Sequence, residues 1–300
     1  MSLVTICVPT FQGERLLDEC LSCLARQTFE DFVVNVCDNG STDATPEIAA
    51  AWARRDKRFT HVRRESNVGL VANYRDALQA CQTPWFMWRA DDDLSADNYV
   101  EALVRLATNS PGCKLAASTV LSCDLDGGRR RLNRPPAIRD PASVSGRMRM
   151  LFGYHYGWFY GLWDRETILN VYLPICANFP FAFAADQLTL YGPIIDGIVR
   201  TTEETEFIQR ARRTAATPRR GTRMPFSLMA ETRSAYRREL RRIRSERHLP
   251  GALRAALVAS EPFYLERTVP SLAKMARTKL RESLGLAGRN QVGRHFERGK

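Results

Sequence analysis

Three consecutive carboxylates, Asp91, Asp92 and Asp93, are the first residues whose type and spacing imply chemistry. Side by side they repel one another, and they cannot all be buried unless a cation joins them. Oxygen donors of this kind suit Mg²⁺ or Mn²⁺. The alternative is a solvated acidic turn that caps the following helix. Context favours the metal. The triplet follows an apolar aromatic stretch, WFMWR at 85–89, that reads as a buried strand. Two other polar groups hold equivalent places, Thr10 after LVTICVP and Asp38 after FVVNVC.

The surrounding elements must carry these groups to one place. Strands are predicted at 3–8, 32–37, 59–63, 85–89 and 115–121, the first ending at Pro9. Helical spacing occupies 14–26, with Leu16, Leu17, Cys20, Leu21 and Leu24 on one face. Further helices are predicted from the cap Asp43 or Thr45 to Arg54, over 70–80, and over 97–107. Strand–helix alternation implies βαβ units and a mostly parallel, Rossmann-like sheet flanked by helices, an α/β fold. Ligands bind such sheets beyond the carboxyl ends of the strands, where Thr10, Asp38 and Asp91–Asp93 fall.

Residues 124–146 read as a loop or hairpin. The stretch GYHYGWFYGLW at 153–163 mixes glycine with aromatics. Its rings could stack on the C–H face of a sugar or pack as core against the sheet edge. His155 and Trp158 are the acceptor-binding candidates. His155 could also ligate a metal, although a lone histidine is more often a hydrogen-bonded structural residue.

Composition narrows the class. Hydrophobic residues make up 44% and charged residues 26% of 300, which suits a globular chain with a sizeable core. The opening MSLVTICVPTF lacks a basic n-region and reads as a strand. No apolar run is long enough to span a bilayer. A cytoplasmic location is the expectation. Cys20 and Cys23 form a C-x2-C pair without a second pair, on a leucine-rich face, so a zinc site is not expected.

The charge is unevenly placed. Residues 201–300 hold 23 Lys and Arg against 10 Asp and Glu, whereas the first 200 hold 21 against 23. Division is therefore expected into 1–225, with a ligand-binding part at about 1–110 that carries the polar strand ends and a second part at about 111–225, and a basic helical region at 226–300. The arginine-rich 229–247 and the amphipathic 271–284, with Leu272, Met275, Ala276, Leu280 and Leu284 towards one face, suggest attachment to an anionic membrane surface. The last dozen residues read as frayed. No zinc-finger, RNP or helix-turn-helix pattern supports nucleic-acid binding.

The stretch VTICVPTFQGERLLDECLSCLARQTFEDFVVNVCDNGSTDAT resembles the opening of family 2 glycosyltransferases, inverting enzymes of GT-A fold. ESNVGLVANYRDALQACQTPWFMWRADDDLSADNYVEAL continues the match in order. The resemblance is dense over 3–110 and thinner to 190. It implies that Pro9, Thr10 and Glu14 form the first nucleotide loop and that Asp38 binds the base or ribose. It also places Asn67, Gly69 and Asn73 beside the donor. Asp91–Asp93 match the DXD motif, which holds the donor diphosphate through a divalent metal, Mn²⁺ or Mg²⁺. Asp92 and Asp93 are the expected ligands, with Asp91 and Asp92 near the donor. Asp186, in FPFAFAADQLTLY, matches the catalytic base, with a helix N-cap as its alternative role.

Two departures stand out, since Arg89 and Ala185 occupy positions where relatives carry acids. Arg63, Arg64 and Arg89 are candidate helpers of the leaving group. The implied reaction moves a sugar from a nucleotide-sugar donor, UDP-linked by resemblance, to a glycan or lipid-linked acceptor. It would serve cell-surface polysaccharide or glycolipid synthesis, at the inner face of the cell membrane where the basic region attaches. A nucleotidyltransferase that makes a nucleotide sugar, or a degenerate binding-only relative, are the alternatives.

Overall fold

The structure is a computed structural model and describes residues 2–125, 128, 130–211 and 224–284. Its first half follows the alternation read from the sequence. β1 (Val4–Thr10), α1 (Leu17–Ala25), β2 (Phe32–Asp38), α2 (Thr45–Arg55), β3 (Phe59–Arg63), α3 (Leu70–Ala80) and β4 (Trp85–Trp88) succeed one another. Every residue of β1 is buried, as a central strand covered on both faces requires. Pro9 lies opposite Cys37 and does not end the strand, which runs on to Thr10 opposite Asp38. That register brings the two polar strand ends level.

The second half completes a mixed sheet. β5 (Leu94–Ser95), α4 (Tyr99–Asn109), β6 (Leu115–Asp124) and β7 (Arg130–Asn133) are followed by α5 (Val144–Gly153) and a 3₁₀ turn, Tyr156–Tyr160. Then come β8 (Leu162–Asp164), α6 (Arg165–Asn178), α7 (Ala185–Asp196) and β9 (Val199–Ala211). The sheet runs β3-β2-β1-β4-β8-β6-β9-β5, with β7 paired to β6. β3, β2, β1 and β4 are mutually parallel, while β8 runs antiparallel to both β4 and β6. The expected hairpin at 124–146 is the β6–β7 pair, and α5 begins within that stretch.

The expected cap of α2 is displaced by one residue. Ala44 is its N-cap, Asp43 accepts from the Thr45 backbone N–H at 3.1 Å, and the Thr45 hydroxyl accepts from Gly13 N–H at 2.8 Å. The helix start is thereby tied to the loop after β1.

The basic region is helical: α8 (Phe226–Ser245), α9 (Gly251–Thr268) and α10 (Leu272–Ser283). Tyr236, Leu240, Leu257, Tyr264 and Leu265 share one hydrophobic core with the sheet. Much of the arginine set is neutralised internally. Arg247 pairs with Asp196, Arg233 with Glu266, and Arg237 and Arg244 with buried Glu261. Burial opposes ionisation of Glu261, but bonds from Arg237 and Arg244 outweigh it and hold the carboxyl below its usual range. Met275 turns inward onto Met224 and Met229, so it leaves the apolar face expected for α10. Leu272, Leu280 and Leu284 stay exposed. The expected frayed end lies outside the described residues. No helix among the described residues is long and apolar enough to cross a membrane.

Candidate active site

The loop after β1 and the loop after β2 are built against each other. Gln12 adopts φ 55°, in the left-handed region that non-glycine residues seldom occupy. Its backbone N–H donates to Ser41 Oγ at 3.0 Å, and its side-chain oxygen accepts from Thr42 N–H at 2.9 Å and Asp43 N–H at 3.2 Å. Glu14 accepts from Ala44 N–H at 3.1 Å. Its carboxylate thus braces the entry to α2.

Asp38 is fully buried at the end of β2. One oxygen accepts from Ser41 N–H at 2.9 Å. The other lacks a hydrogen-bond partner among the described residues, with Arg63 Nε at 3.5 Å and His61 Nε2 at 3.7 Å. A buried, unsatisfied acceptor is costly, and a donor N–H or O–H from a ligand would relieve it.

Behind Asp38, Asn67, Gly69 and Asn73 act as struts. Asn39 donates to Asn67 Oδ1 at 2.8 Å and accepts from Val68 N–H at 3.0 Å. Asn67 also accepts from Gly69 N–H at 2.8 Å, and Asn73 donates to the Cys37 carbonyl at 2.9 Å. Gly40, at φ 73°, runs so close to the next loop that a Cβ would lie 2.7 Å from the Ser66 carbonyl carbon.

The acid triplet follows β4. Asp91 accepts from Thr10 Oγ at 2.6 Å. Gly13 lies over this pair, where a Cβ would fall 2.4 Å from Thr10 Oγ and 2.7 Å from Asp91 Oδ2. Asp93 accepts from Arg210 N–H at 2.7 Å, and the Arg210 guanidinium donates to the Asp92 carbonyl and to Glu19. Arg210 ends β9, far along the chain, and carried no sequence signal. Burial, then the charge of Asp92, lifts the Asp93 carboxyl to about 8. Asp92 is the most open of the three.

Arg89 does not reach the site mouth. It is 1% exposed, with its guanidinium 5.3 Å from the Tyr99 ring centre and 4.9 Å from that of Phe207. It donates to Ser95 Oγ at 3.1 Å. It therefore cannot assist a leaving diphosphate directly, which corrects that expectation. Arg64 is engaged with Asp76 at 2.7 Å.

Asp186 lies in the first turn of α7. The N-cap is Ala184, in the left-handed region at φ 65°, so the expected capping role falls elsewhere. Asp186 accepts from Gln187 N–H at 2.8 Å. Burial raises its carboxyl to about 6, and surface access to the residue is partial. Two tyrosines, Tyr74 and Tyr160, lie within the electrostatic reach of these acids. The charges of Asp91–Asp93 raise the Tyr74 hydroxyl further after burial, and those of Asp93 and Asp186 do so for Tyr160.

The aromatic stretch divides in its roles. Trp158 is 2% exposed, and its indole N–H donates to the Ser118 carbonyl at 2.9 Å. It is a core anchor and has no face for a sugar, which corrects the acceptor expectation for that residue. His155 Nδ1 accepts from Gly157 N–H at 3.0 Å and caps the 3₁₀ turn. Burial, then the charges of Arg131 and Arg267, lowers His155 to about 4.

The model of Glycosyl transferase family 2 matches residues 5–164, more than half the chain. The chain belongs to glycosyltransferase family 2. Among its relatives, the putative glycosyltransferase EpsH of Bacillus subtilis is 28% identical over 152 residues, 49% of this chain and 44% of that protein. Glycosyltransferase GlyA of Streptococcus pneumoniae is 30% identical over 102 residues, 34% of this chain and 14% of GlyA. The chain thus spans less than half of these relatives. S. aureus TarS 1–349, solved with UDP-GlcNAc, superposes with a TM-score of 0.70 at 15% identity, covering 95% of this chain and 78% of TarS. The mannosyltransferase PcManGT from Pyrobaculum calidifontis, solved with GDP-Man and Mn²⁺, gives 0.53 at 18% identity, covering 95% and 81%. The architecture is the GT-A fold.

The donor set fits the divalent metal that the family implies. Asp92 and Asp93 are adjacent carboxylates whose ionised forms oppose each other in a buried place, a conflict that a cation resolves. Among the described residues no three His, Cys, Asp or Glu side chains form a ready cage. Mg²⁺-type sites commonly use one or two carboxylates, with substrate phosphates and water supplying the rest.

Proposed function

We propose that this chain transfers a sugar from a UDP-linked donor to an acceptor hydroxyl with inversion at the anomeric carbon. The observation that carries the reading is the convergence of three strand ends, through Thr10, Asp38 and Asp91–Asp93, with the Asp186 carboxyl near enough that its charge and that of Asp93 act on the same Tyr156 and Tyr160 hydroxyls. Asp38 offers its unsatisfied oxygen to the ribose or base. Asp92 and Asp93 would hold the metal, with Arg210 fixing the Asp92 carbonyl and the Asp93 carboxylate and Thr10 fixing Asp91 beside the donor. When bound, the metal supplies Lewis-acid stabilisation of the leaving diphosphate. The acceptor oxygen bonds to the anomeric carbon as the bond from that carbon to the diphosphate oxygen breaks, and the electron pair leaves with UDP. Asp186 takes the acceptor proton; a carboxyl near 6 is ionised at neutral pH and still basic enough for the task.

The acceptor is read as a glycan or lipid-linked sugar, in cell-surface polysaccharide or glycolipid synthesis on the inner face of the membrane. The exposed Leu272, Leu280 and Leu284, with Lys279, Arg277 and Arg281 on the same helix, support contact between α10 and anionic lipid. The decisive experiment is a donor screen by thermal shift with and without Mn²⁺, followed by NMR of the product's anomeric configuration. A retained configuration, or pyrophosphate in place of UDP as the released product, sinks the proposal.

A further inference from the structure

The 3₁₀ turn presents one aromatic ring to solvent at the acceptor side. Tyr156 is 45% exposed and stacks on His155, with ring centres 4.4 Å apart and planes 25° from parallel. Every neighbour in the turn is fixed. Trp158 is bonded to Ser118, Phe159 stacks on Trp88 at 4.5 Å, and Tyr160 stacks on Phe207 at 5.2 Å. Trp88 ends β4 just before the triplet, and Phe207 precedes Arg210 on β9. Next to the turn, the Tyr154 hydroxyl donates to Gln187 Oε1 at 3.3 Å, beside Asp186. The turn is thus clamped between the acid triplet and the proposed base, and Tyr156 alone of its aromatics keeps substantial exposure.

Two exposed arginines lie near His155, on which this ring stacks. Arg131 on β7 lies directly opposite Ser122 on β6, and such cross-strand pairs share a face of the sheet. Ser122 Oγ is 3.5 Å from His155 Nε2. Arg267 on α9 donates to the Tyr154 carbonyl at 3.0 Å, with its guanidinium 5.6 Å from the Tyr154 ring centre. Among the described residues neither arginine pairs with a carboxylate. Three separate elements, β7, the 3₁₀ turn and α9, thus supply a platform and two cations around it.

Resting on the glycosyl-transfer reading, we propose that Tyr156, backed by His155 and flanked by Arg131 and Arg267, is the acceptor subsite, and that it selects a sugar carrying a phosphate. A neutral acceptor would need only the ring. An anionic one must approach a mouth that holds the ionised Asp186 carboxylate, and two guanidinium groups offset that repulsion while binding phosphate oxygens in their fork geometry. Burial first, and then the same two positive charges, keep His155 neutral at physiological pH, so it backs the ring and does not itself supply the charge.

The test uses the full chain saturated with UDP and Mn²⁺, so that the donor site is filled. Binding is measured by saturation-transfer NMR and calorimetry for methyl glycosides of glucose, galactose, mannose and N-acetylglucosamine, each against its phosphorylated counterpart. At least one phosphosugar should bind roughly 10–100-fold more tightly than its neutral parent. The double variant Arg131→Gln/Arg267→Gln should remove that difference and leave UDP affinity unchanged. Tyr156→Ala should weaken both members of the pair, and Tyr156→Phe neither.

No phosphate preference in any pair, or a preference that survives the double variant, overturns the proposal. So does the case in which the double variant loses only binding to phosphatidylglycerol vesicles, because the arginines then contact lipid headgroups. Failure of UDP to bind refutes the donor reading separately, and the same phosphosugar comparison is then made on the nucleotide-free chain.

Discussion

Replacing Asp186 with Asn separates two consequences of one buried carboxylate. Burial raises its carboxyl from the model-peptide value near 3.8 to about 6. Each tenfold change in proton affinity corresponds to about 1.4 kcal/mol, so ionising Asp186 at neutral pH destabilises the fold by at most about 3 kcal/mol. Partial surface access reduces this to roughly 1–3 kcal/mol. The sign follows from the direction of the shift. The folded state binds the proton more tightly than the unfolded state, so this group's contribution is most favourable below about pH 4 and declines as pH rises through about 6. Asn keeps the shape and the acceptor for Gln187 N–H but carries no charge.

The Asn variant should therefore be more stable than the parent at pH 7, with the advantage fading towards pH 4. It should also lose roughly 10²–10⁴-fold in kcat while binding donor normally. The parent's kcat should rise with pH through about 6, and the variant's profile should lose that limb. Denaturant melts at pH 4 and pH 7, with UDP release over the same range, read both effects. Near-normal turnover in the variant would show that the proton goes elsewhere. Equal stability at both pH values would show that Asp186 is solvated and not a tuned base. Loss of donor binding would place it in the nucleotide site.

Other perturbations address the remaining parts. Asp92→Asn with Asp93→Asn should abolish Mn²⁺-dependent nucleotide binding while circular dichroism stays native; normal turnover in EDTA would refute the metal role. Asp38→Ala should raise the donor KM, and unchanged donor kinetics would remove Asp38 from the nucleotide site. Gly13→Ala forces a methyl into the Thr10–Asp91 contact and should weaken donor binding, with a stability loss of about 1–3 kcal/mol visible in urea melts; unaltered binding would show that this contact does not shape the site. Leu272→Ser, Leu280→Ser and Leu284→Ser together should reduce sedimentation with phosphatidylglycerol vesicles, and equal sedimentation would exclude α10 as the lipid contact.

The first half, proposed to bind the nucleotide, had its elements legible in the sequence because their signals are local. Each strand is a short apolar run, and each polar group follows its strand directly, so periodicity alone puts Thr10, Asp38 and Asp91 at one end of the sheet. The acceptor half was not legible in that way. Trp158 and Tyr156 are two residues apart in one aromatic stretch, and only the Ser118 carbonyl and the His155 ring decide which faces inward. Arg210 was hidden for a different reason. It reaches Asp93 through a parallel β6–β9 pairing and the short β5 strand, contacts that no sequence window contains. In the arginine-rich 229–247 the internal pairing was hidden, because the acids that neutralise part of it come from α7 and α9 as well as from α8 itself.

The charge balance under the triplet explains how the site can hold Asp91–Asp93 together before any ligand arrives. In the family pattern an acid often stands where this chain has Arg89. Here a buried guanidinium sits between the Tyr99 and Phe207 rings, and its positive charge eases the ionisation of Asp93 against burial and the charge of Asp92. Arg210 acts from the other side, fixing Asp93 and the Asp92 carbonyl while reaching Glu19. Two arginines thus offset part of the repulsion among three aspartates, and both are held by contacts that do not involve the ligand. Arg89 in particular is locked by two aromatic rings and Ser95, so it contributes charge without entering the proposed metal position. On the proposed function, a triplet supported in this way would be formed before donor and cation arrive, which would lower the ordering cost of binding them.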